Sequence, residues 1–572
     1  MPIRIVFASM IAAGAAIRVL DFLTLPIIEN DGVNLMMSAR NTLAGQGISP
    51  SLTLPSMIVT AMFGVFGEGL WPATLPNLLA GLGTIALCFT AGKAARNRET
   101  GVAAAGLYAV CALAMFYAPL PKPYTLLAFF VFAGVVCWAV AIDRTGWAAV
   151  GFGLLSGLAF GAAFATHTFA AFAAVPLPFI WVTSFLRPER RSRRVPTLCA
   201  GIGFGAVAGL LVAWRFPAFG WSIFNDYLMD WRFEIAIPVW SVRWEGLTNL
   251  YSLSPFVFAP GLGAYFAGRR TRSPIEIYSL ALVALNLAVY LLNPVNRFPR
   301  VLLTSMAPMA LLAAIGLCDL VARRSASIWV IAFVSALGLA LVGAEASSSR
   351  MAMLGMLDRV QPAVFALIVA GLFAVGFAAG RARSTSPSAH GAVIAALAVF
   401  AISTLAYAAI HTRVALSRQA ELYQRRVAGL VECGTTSDTL GGGDGVHLLL
   451  RGTHNYSWLV DLPRERLLDA YARGIVGALE AEGVRCVVVD WNDPEGEVAM
   501  LDEFVRSSGV PPEQARNLFR ELDEDARIHV IAERAPISTY GIAGYEPVGR
   551  TPLPKEFDPI WPTTWWPSVG NP

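Results

Sequence analysis

Charge is scarce in this chain. Only 14% of its 572 residues are Asp, Glu, Lys or Arg, against about 25% in soluble globular proteins. With 56% hydrophobic residues and a mean hydropathy of +0.58, this excludes a soluble enzyme of ordinary composition, a disordered chain and a nucleic-acid binder. What remains is a polytopic membrane protein. Cysteine is sparse too, at seven residues, with no CxxC or comparable metal spacing. Cys88, Cys111, Cys137, Cys199 and Cys318 lie in apolar runs, where a free thiol behaves as a small hydrophobe. Only Cys433 and Cys486 lie elsewhere. A small-residue cleavage pattern is missing at the start. The apolar run begins at Ile5 and continues past Leu25, so it is expected to stay as the first membrane helix. No internal repeat is visible, which disfavours the repeat-built transporters.

Apolar stretches near 20 residues long span the roughly 30 Å hydrocarbon core as helices. About thirteen are expected, at 5–26, 71–91, 101–119, 124–142, 147–166, 169–186, 197–214, 247–267, 275–292, 301–321, 328–343, 362–380 and 391–410. The run 147–186 is nearly continuous and twice the length of one span, so it is read as a hairpin split at His167. With the N-terminus in the cytoplasm, the inner loops carry 17 basic residues, including Arg4, the Lys93–Arg98 group, Arg187–Arg194 and Arg269–Arg272. That is the positive-inside pattern. An odd number of spans then puts the C-terminal tail outside.

The outer side holds the irregular sequence. In the long first loop, 27–70, the stretch 32–43 is amphipathic and suits an interfacial helix. The apolar stretch 54–67 is short for a span and suits an interfacial or re-entrant segment. The other long outer loop, 217–246, carries Trp221, Trp231, Trp240 and Trp244 and is expected at headgroup depth. From position 412 onward the balance turns acidic, 16 basic against 24 acidic residues, and the tail reads as a soluble α/β domain. Strand-like runs occupy 445–450, 484–490 and 527–532, and helical spacing covers 464–482 and 512–522. The domains are therefore 1–411, transmembrane, and 412–572, extracytoplasmic. Placed there, Cys433 and Cys486 either form a disulfide, as an oxidising compartment permits, or stay as buried thiols.

Chemistry-bearing residues gather at the outer ends of different spans. Glu29 and Asp31 follow the first helix. Two carboxylates one residue apart can bind a divalent cation or activate a hydroxyl, or simply belong to a polar loop. Lys122 sits in Pro119-Leu120-Pro121-Lys122-Pro123-Tyr124, where alternating prolines enforce an extended, stiff turn. One cation and the aromatic Tyr124 at the interface suit a lipid phosphate. A snorkelling anchor is the plainer alternative. Arg297 and Arg300 stand against the positive-inside trend, and guanidinium suits bidentate phosphate binding. They serve equally as interface anchors or partners of loop carboxylates. His167 is hydrogen-bonded structure or part of a cavity. Arg18 and Asp21, near the outer end of the first helix, pair or face a cavity.

Together these stretches resemble the GT-C glycosyltransferases that use polyprenyl-phosphate sugars. The bacterial branch with lipopolysaccharide-core galacturonosyltransferases, aminoarabinose transferases and protein mannosyltransferase relatives is the most similar. The resemblance rests on the acidic pair at Glu29 and Asp31 and on GEGLWPATLPNLLAGLGTIAL at 67–87, with Thr74 where the family usually has Arg. It rests further on PKPYTLL at 121–127, with Lys122 for Arg in an RPYxLL pattern, and on ATHTFAAF at 165–172, with Thr168 for the usual aromatic. The last stretch is NRFPRVLLTSMAPMALLAAIGL at 296–317. The acidic residue that often precedes the RPY pattern is absent, Leu120 and Pro121 standing there.

The resemblance implies a sugar moved from a polyprenyl-phosphate donor to an acceptor hydroxyl of a glycan, lipid or protein, at the outer face of a bacterial inner membrane. Asp31, with Glu29, would act as base and the anomeric carbon would invert. Lys122, Arg297 and Arg300 would bind the donor phosphate. Tyr124 and His167 would line the cavity. The pattern implies no particular cofactor, and a divalent cation at Glu29 and Asp31 is compatible with it. Two rivals stand beside this reading. A transporter or flippase of lipid-linked sugars explains the spans but not the outer domain. A non-catalytic scaffold on the same fold is the other, since fold does not set function.

Overall fold

The computed structural model describes residues 2–24, 30–45, 53–167, 170, 193–219, 255–267, 272–292 and 302–323, with isolated positions 405, 409 and 416. In the tail it describes 432–433, 439–441, 454–455, 476–477, 480, 483–490, 525–534, 537–542 and 544. The chain divides into two compact units. The first comprises Met1–Phe22, Ile48–Ile58 and Thr74–Ala415; the second comprises Leu23–Gly47, Val59–Ala73 and Leu416–Pro572.

Twelve helices are formed by the described residues of the body. They are α1 (Pro2–Thr24), α2 (Asn30–Leu43), α3 (Thr53–Phe66), α4 (Leu70–Ala95), α5 (Arg98–Ala109), α6 (Ala112–Tyr117), α7 (Pro123–Ile142), α8 (Gly146–Thr166), α9 (Arg194–Phe219), α10 (Pro255–Ala267), α11 (Pro274–Leu292) and α12 (Leu303–Arg323). Five are long and apolar enough to cross a membrane: Arg4–Thr24, Leu70–Ala95, Pro123–Ile142, Gly146–Thr166 and Arg194–Trp214. They coincide with the stretches expected at 5–26, 71–91, 124–142, 147–166 and 197–214. Shorter apolar helical stretches cover Leu54–Phe66, Pro274–Ala288 and Leu303–Asp319. The spans expected at 169–186, 328–343, 362–380 and 391–410 lie essentially outside the described residues, as does the Trp-rich loop 217–246 beyond position 219.

One expected span is corrected. The stretch 101–119 is not a single helix; it breaks between α5 and α6 at Val110 and Cys111. Neither Pro nor Gly lies at the break, so local propensity does not cause it. Arg18 of α1 stabilises the break. Its Nη1 donates to the carbonyl oxygens of Gly14 at 3.0 Å and of Ala109, and its Nη2 to that of Tyr108 at 3.2 Å. A guanidinium at a helix C-terminus satisfies orphan carbonyls and meets the negative end of the dipole. Fully buried, it also offsets the cost of a charge in an apolar bundle.

The opposite end of this bundle is held by other polar groups. Asn97 caps α5 by accepting from the Thr100 amide at 2.9 Å. Ser273 and Glu276 form a capping box at the start of α11, with the Ser273 amide and hydroxyl donating to Glu276 Oε1 at 3.3 and 3.0 Å. Arg96 reaches the same buried carboxylate at 3.5 Å, and Arg4 reaches Glu99 at 3.1 Å. These pairs join the starts of α1, α5 and α11, three of the segments expected on the inner side.

Small residues let the helices approach closely. On α8, Gly153, Gly157 and Gly161 repeat every fourth residue against α9, the small-xxx-small pattern of membrane helices. A Cβ at Gly157 would collide with the carbonyl oxygen of Ala200. Gly157→Leu should therefore overpack this contact by about 1–3 kcal/mol and lower the melting temperature in detergent. An unchanged melting temperature would contradict the packing.

The stretches 32–43 and 54–67 are helical, as α2 and α3, and α2 with the part of α3 from Val59 onward belongs to the second unit. Arg40 of α2 donates to Glu68 Oε1 through Nε at 2.5 Å and through Nη2. Phe66 and Trp71 pack with ring centroids 5.1 Å apart. The described part of the tail is a five-stranded sheet in the order β2-β1-β3-β5-β4. The strands are β1 (Thr439–Gly441), β2 (His454–Asn455), β3 (Cys486–Asp490), β4 (Ile528–Arg534) and β5 (Ile537–Ile542). Parallel pairing joins β1 to β2 and β3, and antiparallel pairing joins β5 to β3 and β4. The strands read at 484–490 and 527–532 are present as β3 and β4. The strand read at 445–450 and the helix read at 512–522 lie outside the described residues, as does most of the helix read at 464–482.

Cys433 and Cys486 are bonded, with Cα atoms 5.8 Å apart. The bridge closes a separation of 53 residues, for which the chain-entropy relation gives about 4 kcal/mol. Alkylation under denaturing conditions without reductant should leave both tail thiols unmodified by intact mass. Two alkylated tail thiols would rule the bridge out.

Candidate functional site

The site is built on the turn between α6 and α7. Proline at 123 keeps Lys122 out of the helical region, and its backbone is extended at φ −117° and ψ 149°. Pro123 then starts α7 at the position where a missing amide costs nothing. The Lys122 amide donates back to Leu120 O at 2.8 Å, closing a tight turn around Pro121. Thr125 Oγ1 donates to Tyr117 O at 3.1 Å and ties the first turn of α7 to the end of α6.

A side chain from α4 holds this turn from beneath. Asn77 Nδ2 donates to Leu120 O at 2.5 Å and to Lys122 O at 2.7 Å. The turn thus has its outward carbonyls satisfied inside the bundle, as buried backbone requires. Lys122 itself is buried at 7% exposure, with Nζ 5.9 Å from the Tyr117 ring centroid. That is within cation–π range. From there aromatic rings run to the end of α8. Tyr117 and Tyr124 have centroids 6.2 Å apart, and Tyr124 and His167 5.4 Å apart. His167 ends α8 in extended backbone and donates its amide to Ala163 O. The split expected at His167 is therefore a real helix end.

Arg18 and Asp21 lie towards the same end of α1, and both are buried. Arg18 Cδ lies near Gly81 of α4, as do Ala118 and Thr125 beside the Lys122 turn. Arg18 is thus committed to the carbonyls of α5 and the Tyr108 ring, 5.8 Å from its guanidinium carbon. It acts as a brace for the C-terminal end of α5.

Of the residues expected at the site, Lys122, Tyr124 and His167 are brought together in the first unit. Asp31 is the second residue of α2, in the second unit. Glu29, Arg297 and Arg300 lie outside the described residues. Among the described residues, no three His, Cys, Asp or Glu groups cluster as a metal site. Two contributors escaped the sequence reading. Tyr117 is one aromatic in an apolar run. Asn77 carried a signal, the one amide side chain within the largely apolar α4, where a buried polar group needs a reason.

A buried cation, two phenols and an imidazole are thus gathered where α6, α7 and α8 meet. Known proteins share both the segment and the fold. Residues 53–214 match the family of dolichyl-phosphate-mannose-protein mannosyltransferases. No curated protein matches the chain in sequence. Among solved structures, ArnT from Cupriavidus metallidurans bound to undecaprenyl phosphate superposes with a TM-score of 0.59 at 14% identity, over 93% of this chain and 97% of that one. Its apo state gives 0.58 at 14% identity, over 94% and 98%. The archaeal oligosaccharyltransferase AglB from Archaeoglobus fulgidus, in complex with an inhibitory peptide and a dolichol-phosphate, gives 0.52 at 11% identity, over 89% and 72%. The resemblance to GT-C glycosyltransferases is thus borne out in the fold and in a matched family segment that contains Lys122, Tyr124 and His167.

Proposed function

We propose that this protein is a membrane glycosyltransferase. It moves a sugar from a polyprenyl-phosphate donor to an acceptor hydroxyl at the outer face of a bacterial inner membrane. The observation that carries the reading is Lys122, buried in a clamped proline turn against Tyr117 and continuous with Tyr124 and His167. It is joined by a fold shared with a protein whose structure holds undecaprenyl phosphate. Lys122, with Arg297 and Arg300, holds the donor phosphate. The acceptor oxygen attacks the anomeric carbon as the carbon–oxygen bond to phosphate breaks, and the configuration inverts. Asp31, supported by Glu29, takes the hydroxyl proton. The pair of electrons leaves with polyprenyl phosphate, a weak base that needs no acid; the cations offset its growing charge. The acceptor is a glycan, lipid or protein of the cell envelope.

Topology follows from charge and oxidation. The basic loops belong to the cytoplasm, and the Cys433–Cys486 bond suits a tail, 412–572, in the oxidising periplasm. Alkaline phosphatase fused after Arg413 should be active, and a fusion within 187–194 inactive. The reverse pattern would put Asp31 in the cytoplasm and overturn the outer-face reading. The transfer itself is tested with purified protein in nanodiscs, supplied with lipid and envelope extracts of the source cell. Release of polyprenyl phosphate and a matching mass gain on an acceptor are expected. Movement of intact polyprenyl-phosphate sugar across vesicles, with no phosphate released, would favour a flippase instead.

A further inference from the structure

We infer that Asn77 is a positioning residue for the donor site, acting through the backbone of the Lys122 turn; this rests on the phosphate role proposed for Lys122. Three observations converge. Asn77 is 1% exposed in the middle of apolar surroundings on α4. Its Nδ2 makes two hydrogen bonds, to Leu120 O and Lys122 O, the carbonyls flanking Pro121. Its Oδ1 has no partner among the described residues. A buried acceptor left unsatisfied costs free energy, so the amide is held here for what its NH2 does.

The orientation of the amide is settled by its partners. Turned over, it would aim Oδ1 at two carbonyl oxygens, three acceptors facing one another. One NH2 group therefore bridges both ends of the turn, and no single-donor side chain can do so in the same geometry. The amide of Lys122 is spent on Leu120 O, and the prolines at 121 and 123 have none. Nothing within the turn can replace the Asn77 bridge. A lysine on a four-carbon stem has much rotamer freedom. Fixing its Cα sets the point from which that stem reaches, so that Nζ is not displaced by movement of the turn, and small displacements of a binding group are costly.

The test is a donor-KM series in nanodiscs on wild type, Lys122→Ala, Asn77→Asp, Asn77→Leu and the two double variants that combine each Asn77 change with Lys122→Ala. Asn77→Asp keeps the shape and replaces the NH2 donor by an acceptor. Its donor KM should rise about 10-fold, with acceptor KM and kcat at saturating donor near wild type, as expected for a displaced binding group. Asn77→Leu should act in the same direction. In the Lys122→Ala background neither should raise donor KM further, because residues acting as one unit are not additive. If Asn77→Leu fails to accumulate in the membrane, Asn77→Ser, which keeps one donor, replaces it in the comparison. An unchanged donor KM in Asn77→Asp, or a full additional loss in the Lys122→Ala background, would overturn the inference while leaving Lys122 in place. Wild-type donor KM in Lys122→Ala would overturn the phosphate role and the inference together.

Discussion

Asp31→Asn should lower sugar transfer by about 10²–10⁴-fold, the usual worth of a general base. The substitution keeps size and hydrogen-bonding shape but removes the ability to take a proton. Asp31 is the second residue of α2, where an acidic group is compatible with the positive end of the helix dipole. Asn is equally compatible with a helix start, so folding should be spared. The amount of protein in the membrane and its melting temperature should match wild type. The loss should fall on kcat, since the proton moves only as the new bond forms. Glu29→Gln should cost less, as befits a supporting carboxylate. Single-turnover assays on purified Asp31→Asn separate the chemical step from donor binding. Wild-type single-turnover rates would remove Asp31 from the mechanism.

Lys122→Ala should weaken donor binding by about 10–100-fold, the worth of a charge-assisted hydrogen bond of about 1.5–3 kcal/mol. The side chain is buried against Tyr117, in surroundings where a phosphate has little water to compete with the cation. Lys122→Arg should retain most of the affinity, because the position tolerates guanidinium in the sequences it resembles. Arg297→Ala and Arg300→Ala should also raise donor KM more than acceptor KM. The same ranking should appear when polyprenyl phosphate without sugar is used as a competitor. Changes confined to acceptor KM in all three Ala variants would show that these cations do not hold the donor.

The long spans were legible because hydropathy alone forces them: a run such as 124–142 has no other way to satisfy its backbone in lipid. The end of α8 at His167 was legible for the same reason, since 40 apolar residues (147–186) exceed one bilayer. The break in 101–119 was not. Hydropathy runs on unbroken there, and the residue that captures the freed carbonyls, Arg18, lies about ninety positions earlier in the chain. Lys122 was legible through its prolines, which act locally on the backbone. Its support was not, because Asn77 and Tyr117 reach it only through tertiary contact. In the tail, β3 showed through its run of valines, whereas β1 and β5, rich in Gly, Ser and Thr, are strands by pairing rather than by pattern. The two cysteines had compartment logic in favour of a bond, and the fold brings their Cα atoms to bonding distance.

Mass spectrometry of lipid and glycan fractions from a deletion strain most directly tests whether this protein transfers sugar from a polyprenyl-phosphate donor. The strain is compared with itself after complementation by wild-type protein or by Asp31→Asn. The deletion and the Asp31→Asn strain should both accumulate a polyprenyl-phosphate sugar and lose that sugar from one envelope glycan, lipid or glycoprotein. Wild-type protein should reverse both changes. Identical donor pools and identical envelope glycans in all three strains would contradict a glycosyltransferase acting on a lipid-linked sugar.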